Sequence, residues 1–450
     1  MSIQQHAPYG QWRSPISAEH VAQGARSLSQ VRIVGVDAYW LESRPFENGR
    51  IALMRASSEG GTHECIAAPF NVRSRVHEYG GAAYLPIDRG DGERSIIFSH
   101  FADNSLYFQI GENSPYQLVA NSKYRFVDFV YDERRNRCLC VREDHSDLHT
   151  QPVNTLCAIS LDTIDVQTVL VQGCDFYAAP RLSPDGRKIA WLSWNHPDMP
   201  WTRTALWLAD IHDDGTLDAP RMIAGGQCES ICQPEWSPDG HLYFISDRSA
   251  WWNLYRHEEN GAVAVCPMQA EFGSPHWQFG KSMYGFSSAT EIVCTYIENG
   301  VSYLASINLH TGVLEKIDMP YTDIQDLRMA AGCILLIAGS PRTPLEIVKI
   351  RWTGVAKNVE GNVLATSITN MPPSTYLSVP NSIHFASGSS TIHGFYYPPV
   401  NPDYITSSSA KPPLIVISHG GPTGMASSTF KLSTQYWTTR GFAVLDVNYR

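Results

Sequence analysis

The chain has 450 residues, is 43% hydrophobic and carries 12 Trp and 21 Tyr, enough apolar material for more than one core and a bias toward β structure. Its formal charge of -10 excludes a strongly basic molecule gripping nucleic acid through its overall charge. No apolar run approaches the roughly 18 residues of a membrane span, and MSIQQHAPYGQWRSPISAEH lacks the basic start and apolar core of a secretory signal. The ten cysteines show no zinc-ribbon or thioredoxin spacing, so reduced thiols in a cytoplasmic protein are expected, with Cys138 and Cys140 on one face of a strand.

From about residue 30 to 350 one pattern returns: a polar turn rich in Pro, Asp and Gly, a short alternating strand, a loop and a second strand. Seven candidate units lie at 32–56, 80–110, 124–160, 181–211, 235–256, 283–309 and 324–350. The clearest are RLSPDGRKIAWLSW at 181–194 and EWSPDGHLYFISDRSAWWNLYR at 235–256. In each SPDG turn Pro presets the angle, Asp accepts from nearby backbone and Gly tolerates positive φ. A spacing of about 40 to 55 residues is that of propeller blades rather than helical repeats. Such a unit cannot bury its sheet alone, and stacking around an axis does so while leaving only short edges. A mainly β fold follows, with a seven-bladed β-propeller over 31–372; six or eight blades also fit the fainter outer units.

Four groups of side chains in this region have chemical potential. Arg73, Arg75 and His77 alternate between the first two units, so on an extended segment they share a face. That face suits a substrate carboxylate or backbone, and equally an inter-blade salt network. Asp144, His145, Asp147 and His149 are metal-ligating types, but a polar run without a further anchor reads as a solvated blade loop. Glu235 stands at a blade entry, where a carboxylate facing a cavity would capture a peptide's free amino terminus. Trp251 and Trp252 suit blade packing. No Gly-rich phosphate loop follows a strand with the required spacing.

After Pro372-Pro373 the texture changes. Residues 374–399 read as two strands around a polar turn, and 401–411 as a polar link. PPLIVISHGGP at 412–422 contains the continuous apolar run of an interior strand covered on both faces, ending in His419-Gly420-Gly421-Pro422. A helix is expected within Ser427 to Thr439, and FAVLDVNYR at 442–450 is a second apolar strand. This succession opens an α/β-hydrolase sheet with its oxyanion-forming loop. Gly421 is read as the oxyanion amide and Gly420 as the residue that keeps the approach open. His419 braces the loop, because the general base comes later in this fold's chain order.

Together, YGQWRSPISAE at 9–19, NVRSRVHEYGG at 71–81, QPEWSPDGHLYFISDRSAWWNLYR at 233–256, SHGGPTG at 418–424 and VLDVNYR at 444–450 resemble the prolyl oligopeptidase family of serine peptidases. The likeness is to its bacterial dipeptidyl-aminopeptidase and acylaminoacyl-peptidase-like branch and spans essentially the whole chain. It implies a propeller capping an α/β-hydrolase domain, with short peptides cleaved between them and the oxyanion amide at Gly421. It also implies that residues 1–30 pack near the hydrolase portion, which would occupy 373–450 and be incomplete there. The family's G-x-S-x-G nucleophile motif is absent from the sequence. The triad Ser, Asp and His are therefore expected beyond Arg450, and residues 1–450 alone are expected to be inactive.

On this reading the complete protein is a serine-type exo- or oligopeptidase that works through an acyl-enzyme without metal or organic cofactor. Short peptides are its partners, nucleic acid and membrane are not, and a homo-oligomer is left open. A non-catalytic peptide-binding propeller with a degenerate hydrolase domain and a propeller-capped esterase are the readings from other classes.

Overall fold

The computed structural model describes residues 4–448 except 24, 58–59, 91–92, 276, 355–358 and 422. Seven four-stranded antiparallel sheets follow one another along the chain at 28–64, 84–119, 124–171, 176–225, 231–264, 284–317 and 323–366, here blades 1 to 7. They form a seven-bladed β-propeller. Each blade takes its four strands from one contiguous stretch in up-and-down order, and the first strands meet around the axis.

The second strands are buried more continuously than an alternating pattern suggests. In Lys188–Trp194 and Cys333–Ser340 every residue but the first is buried, because neighbouring blades cover both faces of a blade. The SPDG turns reverse the chain between first and second strands. Ser183 Oγ donates to Asp185 Oδ1 at 2.6 Å, Asp185 accepts the Arg187 N–H at 3.1 Å, and Gly186 has φ +64°.

Bulges interrupt the first strands between Ser29 and Arg32, Val127 and Val130, Ala178 and Arg181, and Cys232 and Glu235. Three bulge side chains stitch a blade to its successor. Gln30 Oε1 accepts the Ala83 N–H at 3.0 Å, Asp128 Oδ2 that of Ala179 at 2.7 Å, and Gln233 Oε1 that of Met283 at 2.7 Å. Blades 1 and 7 share no strand, so the ring closes through side chains. Leu28, Val31 and Trp40 pack with Leu335, Ile337 and Ile347, and Arg328 Nε donates to the Val31 carbonyl at 3.1 Å.

The eighth four-stranded sheet belongs to the N-terminal part of an α/β-hydrolase domain. Asn381–Ser387 and Ser390–Tyr397 form a hairpin, Ala443–Asn448 pairs antiparallel with the second of these, and Leu414–Ser418 pairs parallel with Ala443–Asn448. Here the structure departs from the sequence expectation. Leu414–Ser418 is an edge strand, and Leu414, Val416 and Ile417 are exposed, since the described residues supply no second neighbour for it. The helix is also shorter than 427–439, running over Leu432–Thr438, because 427–430 is drawn out to meet blade 7.

The N-terminal segment lies against this sheet. Gln5–His6 pairs with Tyr404–Ile405, Trp12 stacks on Tyr404 and Ser14 Oγ is 2.7 Å from Thr439 Oγ1. Arg440 donates to the Ile16 carbonyl at 2.8 Å. Among the described residues no helix is long and apolar enough to cross a membrane.

Candidate active site

Strand Leu414–Ser418 delivers His419 to the end of the sheet, where the chain turns through Gly420 and Gly421. Gly421 has φ +70°, a conformation that strains any residue with a side chain. A Cβ at Gly420 or Gly421 would meet nothing within 4 Å, so the loop is open around both. A Cβ at Gly424 would clash with the Gly420 carbonyl and lie 3.0 Å from His419 Nδ1, so the loop folds back on itself at that point.

The segment that follows is tied to the propeller. Ser427 Oγ and Thr429 Oγ1 both donate to Asp323 Oδ2, at 2.6 and 2.5 Å, and the Phe430 N–H donates to the Ser340 carbonyl at 2.8 Å. Asp323 begins the first strand of blade 7 and Ser340 ends its second, so the hydrolase loop sits over the mouth of the propeller.

Between loop and propeller lies a cavity of about 840 Å³. Thr423, Gly424, Met425 and Ser427 line it from the hydrolase side; Tyr79, Trp252, Trp277 and Phe279 give the propeller side an aromatic wall. Tyr79 is 59% exposed and its ring meets Trp277 edge-on at 4.5 Å. Four charged groups also line the cavity without an ion-pair partner among the described residues: Arg73, Glu271, Lys281 and Asp323, the last held by the Ser427 and Thr429 hydroxyls. Glu271 Oε2 accepts the Trp252 N–H at 2.9 Å, and burial pushes its carboxyl above the usual range. Burial pushes the Lys281 ammonium below its usual value. Both shifts arise because burial disfavours the charged forms.

The structure separates the residues that the sequence grouped. Arg73 lines the cavity, with its guanidinium 4.5 Å from the centre of the Phe101 ring, and Arg75 stacks on the same ring at 4.3 Å. The extended segment ends before His77, where φ is +53°, and a tight turn follows; a Cβ at Gly80 would clash with the Ser74 carbonyl. His77 therefore does not join the arginines. Its ring is enclosed by Phe176, Phe279 and Trp194, at 4.9, 4.8 and 5.6 Å, behind the cavity wall. Burial pushes its pKa down to about 3, so it stays neutral.

Glu235 faces the propeller axis, not the cavity, with Oε1 accepting from Arg181 Nε at 3.0 Å. The salt network that forms ties the connection between blades 1 and 2 to blade 3, and is built from residues beside the expected ones. Arg125 bridges Glu78 at 2.8 Å and Glu143 at 3.3 Å, and Glu143 also meets His145 Nε2 at 2.8 Å. Asp144 and Asp147 accept the backbone N–H groups of Ser146 and His149, as turn residues do. Among the described residues no group of three or more His, Cys, Asp or Glu is placed to hold a metal ion.

Sequence reasoning missed Glu271, Lys281 and Trp277. They lie in the long connection between blades 5 and 6, whose only sequence signal is its length without a strand, 265–283.

No family model and no curated protein matches the chain. Solved structures do. A Mycobacterium tuberculosis puromycin-hydrolyzing peptidase is 34% identical and superposes with a TM-score of 0.92, over 99% of this chain and 70% of that one. The chain belongs to the prolyl oligopeptidase family of serine peptidases. A puromycin hydrolase, solved also as a variant complexed with PGG, is 32% identical with a TM-score of 0.92, over 99% of this chain and 69% of that one. An acylaminoacyl peptidase in complex with Z-Gly-Gly-Phe-chloromethyl ketone shares the family fold at 14% identity, with a TM-score of 0.66 over 98% of this chain and 67% of that one.

Proposed function

We propose that the complete protein is a serine-type exo- or oligopeptidase acting on short peptides, and that residues beyond Arg450 supply its Ser, Asp and His. The observation that carries this reading is the cavity closed on one side by the loop after Gly421 and on the other by the propeller mouth. We divide the chain accordingly into an N-terminal segment (1–30), the propeller (31–372) and the start of the peptidase domain (373–450).

The serine, its proton taken by histidine, attacks the scissile carbonyl. The oxygen of the tetrahedral intermediate meets the Gly421 amide, with Gly420 leaving the approach clear, His419 bracing the loop and a second donor beside the serine. Histidine returns the proton to the leaving amine, and water then releases the acyl group as the acid. None of these steps calls for a metal or organic cofactor. Glu271 is suited to a peptide's ammonium group, Arg73 and Lys281 to a carboxylate, and the aromatic wall to a large side chain. The names of the two puromycin-hydrolysing relatives support a small substrate. Ten unbonded thiols agree with a reducing compartment, which we take to be the cytoplasm.

The test uses the full-length protein with aminoacyl and peptidyl aminocoumarin amides, the matching esters, puromycin and a fluorophosphonate. Turnover of free-amino peptide amides together with covalent labelling is expected, and residues 1–450 alone should show neither. Binding of short peptides without label or turnover would establish the non-catalytic reading instead, and hydrolysis of esters alone the esterase.

A further inference from the structure

Strand Ala443–Asn448 ends in a polar residue to which the peptidase mechanism gives no part. Asn448 stands in a row of side chains that crosses the hydrolase sheet. His384 lies directly opposite His393, and His393 directly opposite Asn448, on three neighbouring strands. By the two-residue period of a strand, His393 shares a face with Phe395 and Tyr397, and Asn448 with Val444. Ala426, from the segment after the oxyanion loop, is buried against that face, in one cluster with Phe395, Tyr397 and Val444.

Three hydrogen bonds fix the polarity of the row. The Ala426 N–H donates to Asn448 Oδ1 at 2.6 Å, so the other end of the amide, Nδ2, faces His393 Nδ1 at 3.1 Å. An amide nitrogen only donates, so His393 Nδ1 accepts and carries no proton. The ring proton therefore sits on Nε2, which donates to Ser382 Oγ at 2.9 Å. Burial and the neighbouring His384 hold the His393 pKa below its ordinary value, in keeping with a neutral ring. A turn of blade 6 covers the ring from the propeller side: a Cβ at Gly300 would lie 3.2 Å from His393 Cε1.

We propose that Asn448 is a positioning residue for the oxyanion loop, anchoring it through Ala426, and that His393 holds the Asn448 amide the right way round. An amide turned by half a revolution would set Nδ2 against the Ala426 N–H, donor against donor, and Oδ1 against the lone pair of His393 Nδ1. Both contacts forbid the turn while the ring is neutral. The anchor falls beside Ser427, which Asp323 holds from the propeller. Consecutive residues are thus tied to the hydrolase sheet and to blade 7, and the short stretch between Gly421 and Ala426 has little freedom left. The inference rests on the reading of Gly421 as the oxyanion donor, whose aim suffers from small displacements.

The test compares Asn448→Leu, Asn448→Asp and His393→Leu in the full-length enzyme. Leucine at 448 removes the acceptor. Aspartate keeps one oxygen for Ala426, and His393 can move its proton to Nδ1 to face the other. Asn448→Leu should lower kcat by roughly tenfold or more with KM changed less than about twofold, and Asn448→Asp should recover most of the rate. His393→Leu frees the amide to turn and should fall between the two. Hydrogen exchange read by mass spectrometry follows the anchor without turnover: the peptide over 423–430 should exchange roughly tenfold faster in Asn448→Leu and near the wild-type rate in Asn448→Asp. Equal kcat in wild type and Asn448→Leu, an equal loss in Asn448→Asp, or unchanged exchange over 423–430 would each overturn the proposal. Wild-type kcat in His393→Leu would remove His393 from it. A wild-type enzyme that neither turns over nor takes a fluorophosphonate would sink the peptidase reading, and the exchange rates would then decide the anchor by themselves.

Discussion

At Gly421 the backbone conformation decides how the oxyanion donor is tested. Proline locks φ near -65°, whereas Gly421 is at +70°. Gly421→Pro thus moves the loop as well as removing the amide, and a fall in kcat of a hundredfold or more is expected. Gly421→Ala keeps the N–H and costs about 1 kcal/mol of local strain. In the full-length enzyme it should lower kcat far less than proline does, with KM nearly kept, and steady-state kinetics of the two variants checks this. His77 gives a second expectation at this scale. An unfolded histidine protonates near 6.5, while the enclosed ring stays neutral down to about 3. Between these values the unfolded chain binds a proton that the folded chain does not. The stability contribution is complete above pH 6.5 and declines as pH falls toward 3, by at most about 1.4 kcal/mol per pH unit. His77→Asn tolerates the positive φ and does not titrate. Urea unfolding between pH 7 and 5 should show a shallower pH dependence in this variant, and a lower stability at pH 7 from the lost ring contacts.

At the scale of elements, the contact between blade 7 and the segment after the oxyanion loop is polar and concentrated on one carboxylate. Asp323 is buried and accepts from both Ser427 and Thr429. Replacing it by alanine leaves two hydroxyls without their acceptor and frees 427–430 from the strand end. A loss of about 2–3 kcal/mol is expected, from two charge-assisted hydrogen bonds. In the full-length enzyme Asp323→Ala should lower kcat more than it raises KM, because the loop that presents Gly421 loses its support while the aromatic wall stays in place. Asp323→Asn keeps an acceptor oxygen and should recover most of the rate. Equal kcat in wild type and Asp323→Ala would show that the loop holds its shape without the propeller.

For the whole molecule, ring closure is the consequential feature. Six of the seven blade junctions lie between consecutive stretches of chain, whereas blades 7 and 1 are joined across most of the sequence. No shared strand fastens them, so the apolar cluster of Leu28, Val31, Trp40, Leu335, Ile337 and Ile347 carries the junction. Leu335 is fully buried there, and Leu335→Ala should cost ~2–5 kcal/mol. Because no shared strand fastens this junction, limited proteolysis of this variant should cut first in blade 1 or blade 7. Cleavage first in the middle blades would place the weak point elsewhere.

The sequence by itself determined the repeat and the strand–loop–helix–strand order after residue 373, and favoured seven blades over six or eight; the structure decided the count. These are local properties: alternating apolar residues make strands, SPDG makes a turn, and HGGP ends a strand in an open loop. The tertiary structure alone decided which side chains meet. Arg73, Arg75 and His77 look equivalent on an extended segment, yet positive φ at His77 sends its ring into an aromatic enclosure while Arg73 reaches the cavity. Glu235 and Arg181 lie 54 residues apart, and only the stacking of blades 4 and 5 turns a candidate amine-binding carboxylate into half of an axial ion pair. Glu271 and Lys281 carry no motif and become cavity residues because a long connection folds under the hydrolase loop. Strand periodicity is set within a few residues. The direction of a charged side chain relative to an axis or a cavity depends on how whole sheets pack, and no local pattern encodes it.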